Sequence, residues 1–258
     1  MDIRGLFRTD EQPLEKLLPD GGFCGIFRTI TCVGDSLSSG EFQTKREDGT
    51  FRYHDMYEYS WGQYLARATG STVYNMSRGG MSARELMGLD EYWDPVRFPP
   101  TQAYIVALGV NDVQNQNQEV GTLADVTEDW RQNADTFTGH YAGVIQRIKE
   151  FQPNARFFLV TIPRENNAER DARGACHAEA VRAVAAHFEN CYVIDLQKDA
   201  PCYDEVFREN FFMYGHMNAA GYLLTAKMVM TYMDYIIRHN LRDFDLAPYI
   251  GREDMLEG

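Results

Sequence analysis

Short apolar runs alternate with longer segments of helical spacing along most of the chain. A run such as residues 103–108 is apolar almost throughout, which is typical of a strand covered on both faces of a sheet. A segment such as residues 56–69 has helical spacing and ends at Gly70, a common helix stop. The pattern predicts strands at 28–33, 72–76, 103–108, 156–162 and 192–196, and helices at 56–69, 82–87, 130–151, 168–188 and 218–238.

The alternation of strands and helices predicts one α/β domain, in which helices cover both faces of a parallel sheet of five strands. We expect this domain at residues 29–240, with an N-terminal arm at 1–28 and a C-terminal extension at 241–258. Residues 40–55 are polar and charged, and we expect them to form a loop. In a sheet of this kind the ligand site lies at the carboxyl ends of the strands.

The charge balance limits the partners of the chain. Its 258 residues include 25 basic and 38 acidic side chains, a formal net charge of −13, which repels nucleic acid and anionic membrane surfaces. The N-terminus lacks the apolar core of a signal peptide, and the longest apolar runs are shorter than the ~20 residues that span a bilayer. The five cysteines show no C-x-x-C spacing. We therefore expect free thiols, a cytoplasmic location, and no nucleic-acid or membrane partner.

One segment with candidate chemistry follows the first predicted strand. Gly34-Asp35-Ser36-Leu37 comes directly after this strand, so Ser36 stands where a helix begins. Backbone N–H groups and the helix dipole favour a developing negative charge at such a position. A serine there is also a common helix cap, and taken alone the segment favours the capping role.

Three further segments follow later strands or precede the last helix. Residues 75–80 end in two adjacent glycines, whose N–H groups can approach a ligand closely. In residues 109–112 the Asn111 amide can donate to an oxyanion, although an Asx turn is the alternative. In residues 214–218, His216 can act as a base at the edge of the sheet, although a lone histidine is more often structural.

Together and in this order, the four segments resemble the signature blocks of the SGNH hydrolases, also called GDSL esterases or lipases. The matching blocks are Gly34-Asp35-Ser36-Leu37, Asn75 to Gly80, Gly109-Val110-Asn111-Asp112, and the block around His216. The resemblance implies a three-layer α/β/α flavodoxin-like fold with a five-stranded parallel sheet. It also implies hydrolysis of carboxyl esters or thioesters with no metal or organic cofactor.

The same resemblance assigns roles to particular residues. It implies that Ser36 is the nucleophile and His216 the general base. It further implies an oxyanion hole built from the Ser36 N–H, the Gly80 N–H and the Asn111 side chain, with Gly79 as the near alternative to Gly80.

The sequence departs from the family pattern at one position. Members usually carry an Asp three residues before the histidine, where it orients the imidazole, and here that position is Met213. A backbone carbonyl can fix the same tautomer. The Met213 carbonyl is therefore one candidate for this role, and Asp204, Glu205 and Glu209 are others.

From the resemblance we expect a serine esterase for small acyl groups, whose partner is a small-molecule ester. Carbohydrate acetyl esters are one candidate substrate class. Two alternatives stay open: a lipase- or thioesterase-type acyl hydrolase, and a degraded member that only binds ligand, which Met213 suggests. His177-Ala178-Glu179 has the H-x-E spacing of zinc deaminases but lacks their P-C-x-x-C partner, so we expect no metal.

Overall fold

The computed structural model describes residues 7–8 and 10–256. Its strands are β1 Thr29–Gly34, β2 Glu41–Lys45, β3 Phe51–Asp55, β4 Thr72–Ser77, β5 Ala103–Ala107, β6 Arg156–Val160, β7 Cys191–Ile194, β8 Phe212–Met213 and β9 His216–Met217. Its α-helices are α1 Ser36–Ser39, α2 Trp61–Thr69, α3 Ala83–Gly88, α4 Phe137–Phe151, α5 Ala168–His187, α6 Leu196–Asp199, α7 Glu205–Phe211 and α8 Ala219–His239. Residues 1–6 and 9 of the predicted arm, and 257–258 of the predicted extension, lie outside the described residues.

Five strands form one parallel sheet in the order β4-β1-β5-β6-β7, which confirms the predicted fold class. This is the doubly wound order of flavodoxin-like proteins, and it reverses direction between β1 and β5. Crevices at such a reversal, outside the carboxyl ends of the strands, are where these sheets bind ligands. The topology therefore indicates the position of the site before any side chain is considered.

Alternate residues of each strand point to opposite sides of the sheet. Each strand therefore contributes apolar side chains to two cores, one on each face. In β6, Phe158 packs in the core beneath α2 and α8, whereas Phe157 and Leu159 pack against α3, α4 and α5. Two-sided burial explains why these strands are continuous apolar runs in the sequence.

The helix boundaries mostly follow local signals. The Asn218 side chain caps α8 by accepting the Gly221 N–H at 2.9 Å. Gly70 ends α2, as predicted, and adopts the left-handed conformation. The predicted helix at 130–151 begins later than expected, at Phe137, because the Thr136 hydroxyl caps it there by accepting the Gly139 N–H.

The prediction of a loop at residues 40–55 was wrong, because β2 and β3 pair there as an antiparallel hairpin. Gly49 has a φ of 86° in the turn, where the Arg46 N–H donates to the Thr50 carbonyl at 2.8 Å. Phe42 packs its ring 5.3 Å from that of Tyr222 on α8. Polar and charged residues alternate irregularly with the aromatic ones in both strands, which hid the strands in the sequence. The contact between Phe42 and Tyr222 holds the hairpin beside the carboxyl end of the sheet.

The described residues also bear on the sequence predictions about cysteines and membranes. All five cysteines carry free thiols. Within residues 7–8 and 10–256, no helix combines the length and apolar character needed to cross a bilayer.

Candidate active site

Ser36, Gly80, Asn111 and His216 line one cavity of about 800 Å³. Ser36 follows β1, Gly80 follows β4 and Asn111 follows β5, while His216 lies in the β8–β9 hairpin just before α8. The cavity therefore lies at the carboxyl ends of the strands, where the strand order reverses. Four segments that are far apart in the sequence meet there.

Ser36 is the first residue of α1, and its neighbour Asp35 caps the helix. The Asp35 carboxylate accepts the Leu37 N–H at 3.0 Å, so the capping role belongs to Asp35. Among the described residues, no side chain hydrogen-bonds the Ser36 hydroxyl, and Ser36 lines the cavity. Asp35 is only 3% exposed, and this burial, with the nearby Asp112 and Glu41 carboxylates, raises the pKa of Asp35 to about 7.

Two groups beside Ser36 can donate to an oxyanion. Gly80 has a φ of 75°, a left-handed conformation that favours glycine, and it borders the cavity. The Asn111 amide donates one hydrogen to the Met81 carbonyl at 3.0 Å, and its oxygen accepts from Asn115 at 2.8 Å. These bonds fix the orientation of the Asn111 amide and leave its second N–H for a ligand.

The imidazole of His216 lies between two side chains of β2. Its Nδ1 is 3.3 Å from Oε1 of Gln43, and its Nε2 is 2.9 Å from Oε1 of Glu41. Gln43 Oε1 also accepts the Gly215 N–H at 2.7 Å, which holds the amide in place. Burial lowers the pKa of His216, and the Asp55 carboxylate opposes this shift. A lowered pKa favours the neutral imidazole that a general base requires.

The four groups that the sequence suggested as orienting partners of His216 do not hydrogen-bond its ring in the part of the chain that the structure describes. Met213 faces His216 across the β8–β9 hairpin through its backbone. Asp204 caps α7 by accepting the Phe207 N–H, while Glu205 and Glu209 are exposed. Likewise, no hydrogen bond joins His216 to Ser36 among the described residues, because Nε2 contacts Glu41.

Sequence reasoning missed Glu41, which the β2–β3 hairpin brings to the site. Glu41 and Tyr53 line the cavity, and the Tyr53 ring meets the His216 ring edge-on at 5.6 Å. A signal was present, because Asp48-Gly49 between two runs with β-branched and aromatic residues is typical of a hairpin.

A charged wall closes another side of the cavity. The Glu165 carboxylate accepts from Arg170 at 3.2 Å and from Arg208 at 3.1 Å. Gln114 and Asn115 also accept hydrogen bonds from Arg170. The wall therefore presents both donors and acceptors.

His177 has a structural role in the core. It is fully buried, and its Nε2 lies 3.0 Å from the Leu108 carbonyl, just before the Gly109 turn. Over residues 7–8 and 10–256, no cluster of three or more His, Cys, Asp or Glu side chains has the arrangement of a metal site.

Comparison with known proteins identifies the family. The chain is similar in structure to a carbohydrate esterase family 2 enzyme with its carbohydrate-binding domain from Corynascus thermopiles (Myceliophthora fergusii), with a TM-score of 0.56 and 16% identity over 81% of this chain and 66% of that one. It is also similar to a Clostridium thermocellum family 3 carbohydrate esterase (TM-score 0.54, 16% identity, 82% and 97% covered). A third similar structure is the acetyl xylan esterase AlAXEase (TM-score 0.52, 18% identity, 78% and 96% covered).

At these identities the structural matches show the fold. A search of curated protein sequences gave no significant match. The sequence profile of the GDSL-like Lipase/Acylhydrolase family, however, matches residues 32–224, which is most of the chain and includes all four candidate segments. The chain therefore belongs to the GDSL-like lipase/acylhydrolase family of ester-bond hydrolases.

Proposed function

We propose that this hydrolase is a serine esterase in which Ser36 is the nucleophile and His216 the general base. The observation that carries the proposal is the meeting of Ser36, Gly80, Asn111 and His216 in one cavity of about 800 Å³. A nucleophile, a base and oxyanion donors around one space are the minimum set for acyl transfer.

In the first step, Ser36 Oγ attacks the ester carbonyl carbon and its proton passes to Nε2 of His216. The imidazole then gives this proton to the leaving alcohol oxygen as the carbon–oxygen bond of the ester breaks. Water, deprotonated by His216, hydrolyses the acyl-enzyme and returns the hydroxyl of Ser36. In this scheme Nδ1–H donates to the Gln43 amide oxygen, which leaves the lone pair on Nε2 for the reaction.

The oxyanion of each tetrahedral intermediate is held by the N–H groups of Ser36 and Gly80 and by the Asn111 amide. The Asn111 amide is already oriented by Met81 and Asn115, so little reorganisation is needed when the charge develops. One such donor contributes roughly 3–4 kcal/mol to the transition state.

The lining of the site supports esters of small acyl groups on a polar alcohol, such as acetylated carbohydrate. The apolar cavity that adjoins the site shares Leu37 and Val110 with it and is only about 80 Å³, which suits a short acyl group. The wall around Glu165 and Arg208 offers donors and acceptors to hydroxyl groups, and Tyr53 offers an exposed ring. Two of the similar structures are named carbohydrate esterases and one an acetyl xylan esterase.

The test is hydrolysis of p-nitrophenyl esters from acetate to long acyl chains, together with acetylated xylose, by wild type and Ser36→Ala. We expect activity on acetate and acetylated sugar that falls with chain length and is lost in Ser36→Ala. Ser71→Ala is the matched control, because it makes the same chemical change at a residue that lines neither cavity.

Each other outcome has a definite meaning. A preference for long chains would favour a lipase- or thioesterase-type hydrolase. Equal activity in wild type and Ser36→Ala would refute Ser36 as the nucleophile. An inactive wild type that still binds acetylated sugar would favour a protein that only binds ligand.

A further inference from the structure

The contact between His216 and Glu41 does not belong to the reaction scheme above. The Nε2 atom that must accept the Ser36 proton lies instead 2.9 Å from a carboxylate oxygen of Glu41. The two side chains are only 15% and 14% exposed, so this is a partly buried pair inside the cavity.

The hydrogen-bond geometry around the imidazole indicates that a proton lies in this contact. Gln43 Oε1 already accepts the Gly215 N–H, so its oxygen faces Nδ1 and Nδ1 is the donor. A neutral imidazole with its hydrogen on Nδ1 has only a lone pair on Nε2. A lone pair facing a carboxylate oxygen at 2.9 Å is repulsive unless one proton lies between them.

Glu41 is held in this place by its surroundings. The Tyr222 hydroxyl on α8 donates to the Glu41 carbonyl, and a Cβ added at Gly79 would collide with Oε2 of Glu41. The carboxyl group therefore lies against the glycine turn next to Gly80, on the side where the acyl oxygen would bind.

We propose that Glu41 is a positioning residue that controls the availability of His216 as a base. In the resting site the two side chains hold one proton between them, and Nε2 becomes free to accept the Ser36 proton only when this proton passes to solvent water. The inference rests on the proposed function in taking His216 as the base, and it adds the group that sets the pH at which the base is available.

The pair has other charged or titratable neighbours, and the test must leave them unchanged. Burial lowers the pKa of His216 and raises the pKa of Glu41, and Asp55 raises both. The groups facing the pair or lining its cavity are Asp35 before α1, Tyr53 and Asp55 on β3, Glu165 after β6, Arg170 on α5, Arg208 on α7 and Tyr222 on α8.

The first experiment is an NMR titration of His216 in wild type and in Glu41→Gln, with His216→Gln used to assign the signal. Glutamine keeps the size of the side chain but cannot share a proton as a carboxylate does. We expect the pKa of His216 to fall by about one unit or more, because the imidazolium loses its anionic partner. Glu58→Gln is the matched control, because Glu58 is exposed and lies outside the cavity.

Gly79→Ala tests the same pair without altering its chemistry. The added methyl group would displace the Glu41 carboxylate, so we expect the pKa of His216 to fall in this variant too. In the double variant Gly79→Ala/Glu41→Gln, the second change should lower the pKa of His216 little further, because both changes act through one contact. In the pH profile of kcat/KM, the acid limb should move to lower pH by the same amount as the pKa of His216 in each variant.

An unchanged pKa of His216 in Glu41→Gln would overturn the proposal, and so would fully additive shifts in the double variant. The titration needs no activity, so it separates this proposal from the proposed function. A shifted pKa combined with full esterase activity in Ser36→Ala would support the pair and refute the nucleophile. Loss of activity in Ser36→Ala with no shift in Glu41→Gln would do the reverse.

Discussion

Replacing Asp35 by Asn should stabilise the protein, and more so at alkaline pH. Asp35 lies beside the nucleophile, is 3% exposed, and has its pKa raised from 3.8 to about 7 by burial and by neighbouring carboxylates. Between these two values the folded protein binds the proton more tightly than the unfolded chain, so its stability falls as pH rises. Asparagine can still accept the Leu37 N–H through its side-chain oxygen, but it never ionises.

The magnitude follows from the size of the shift. One pKa unit corresponds to about 1.4 kcal/mol, so ionising Asp35 fully costs the folded state on the order of 4 kcal/mol. The range from about pH 5 to pH 8.5 covers roughly two of the pH units that separate the unfolded pKa of 3.8 from the folded pKa of about 7. These two units correspond to about 3 kcal/mol. The stability difference between Asp35→Asn and wild type should therefore grow by about 3 kcal/mol over this range.

Urea unfolding followed by tryptophan fluorescence at both pH values measures this difference. Asp245→Asn is the control, because it makes the same chemical change at an exposed position. We expect no growth of the stability difference there. If the advantage of Asp35→Asn over wild type is the same at both pH values, the carboxyl group is not held protonated by burial and the reasoning is refuted.

Three other changes test the structure around the site. Asn111→Ala should lower kcat by about 100- to 1000-fold with little change in KM, because one oxyanion donor is lost; a loss under about threefold would exclude that role. Gly109→Ala should lower the free energy of unfolding by about 1–3 kcal/mol, since Gly109 has a φ of 134° and a Cβ there would collide with His177; unchanged urea unfolding would contradict this. Burial lowers the pKa of His177 from 6.5 to about 4, so its contribution to stability is complete above pH 6.5 and falls by about 3 kcal/mol towards pH 4. Urea unfolding of His177→Gln should show a smaller acid-induced loss than wild type, and an equal loss would refute the assignment.

Much of the fold was determined by local and periodic features of the sequence. Strands covered on both faces must be apolar throughout, so runs such as residues 103–108 and 156–162 stand out in the sequence. Helix ends are set by residues within one turn, so the sequence around Asn218 indicates the start of α8 and Gly70 indicates the end of α2.

The sequence also indicated that Ser36, Gly80 and Asn111 lie near one another. Each follows a parallel strand, and the carboxyl ends of parallel strands share one edge of the sheet. Their proximity is thus a consequence of topology, which the alternation of strands and helices already predicts.

Only the tertiary structure decided which groups contact His216 and how charged the site is. Gln43 and Glu41 lie more than 170 residues from His216 in the sequence, on a hairpin whose many polar and charged residues led to the prediction of a loop. No spacing rule connects such distant segments, because their contact depends on how the hairpin packs against α8. The raised pKa of Asp35 likewise arises from burial, which is a property of the packed chain and of no single segment.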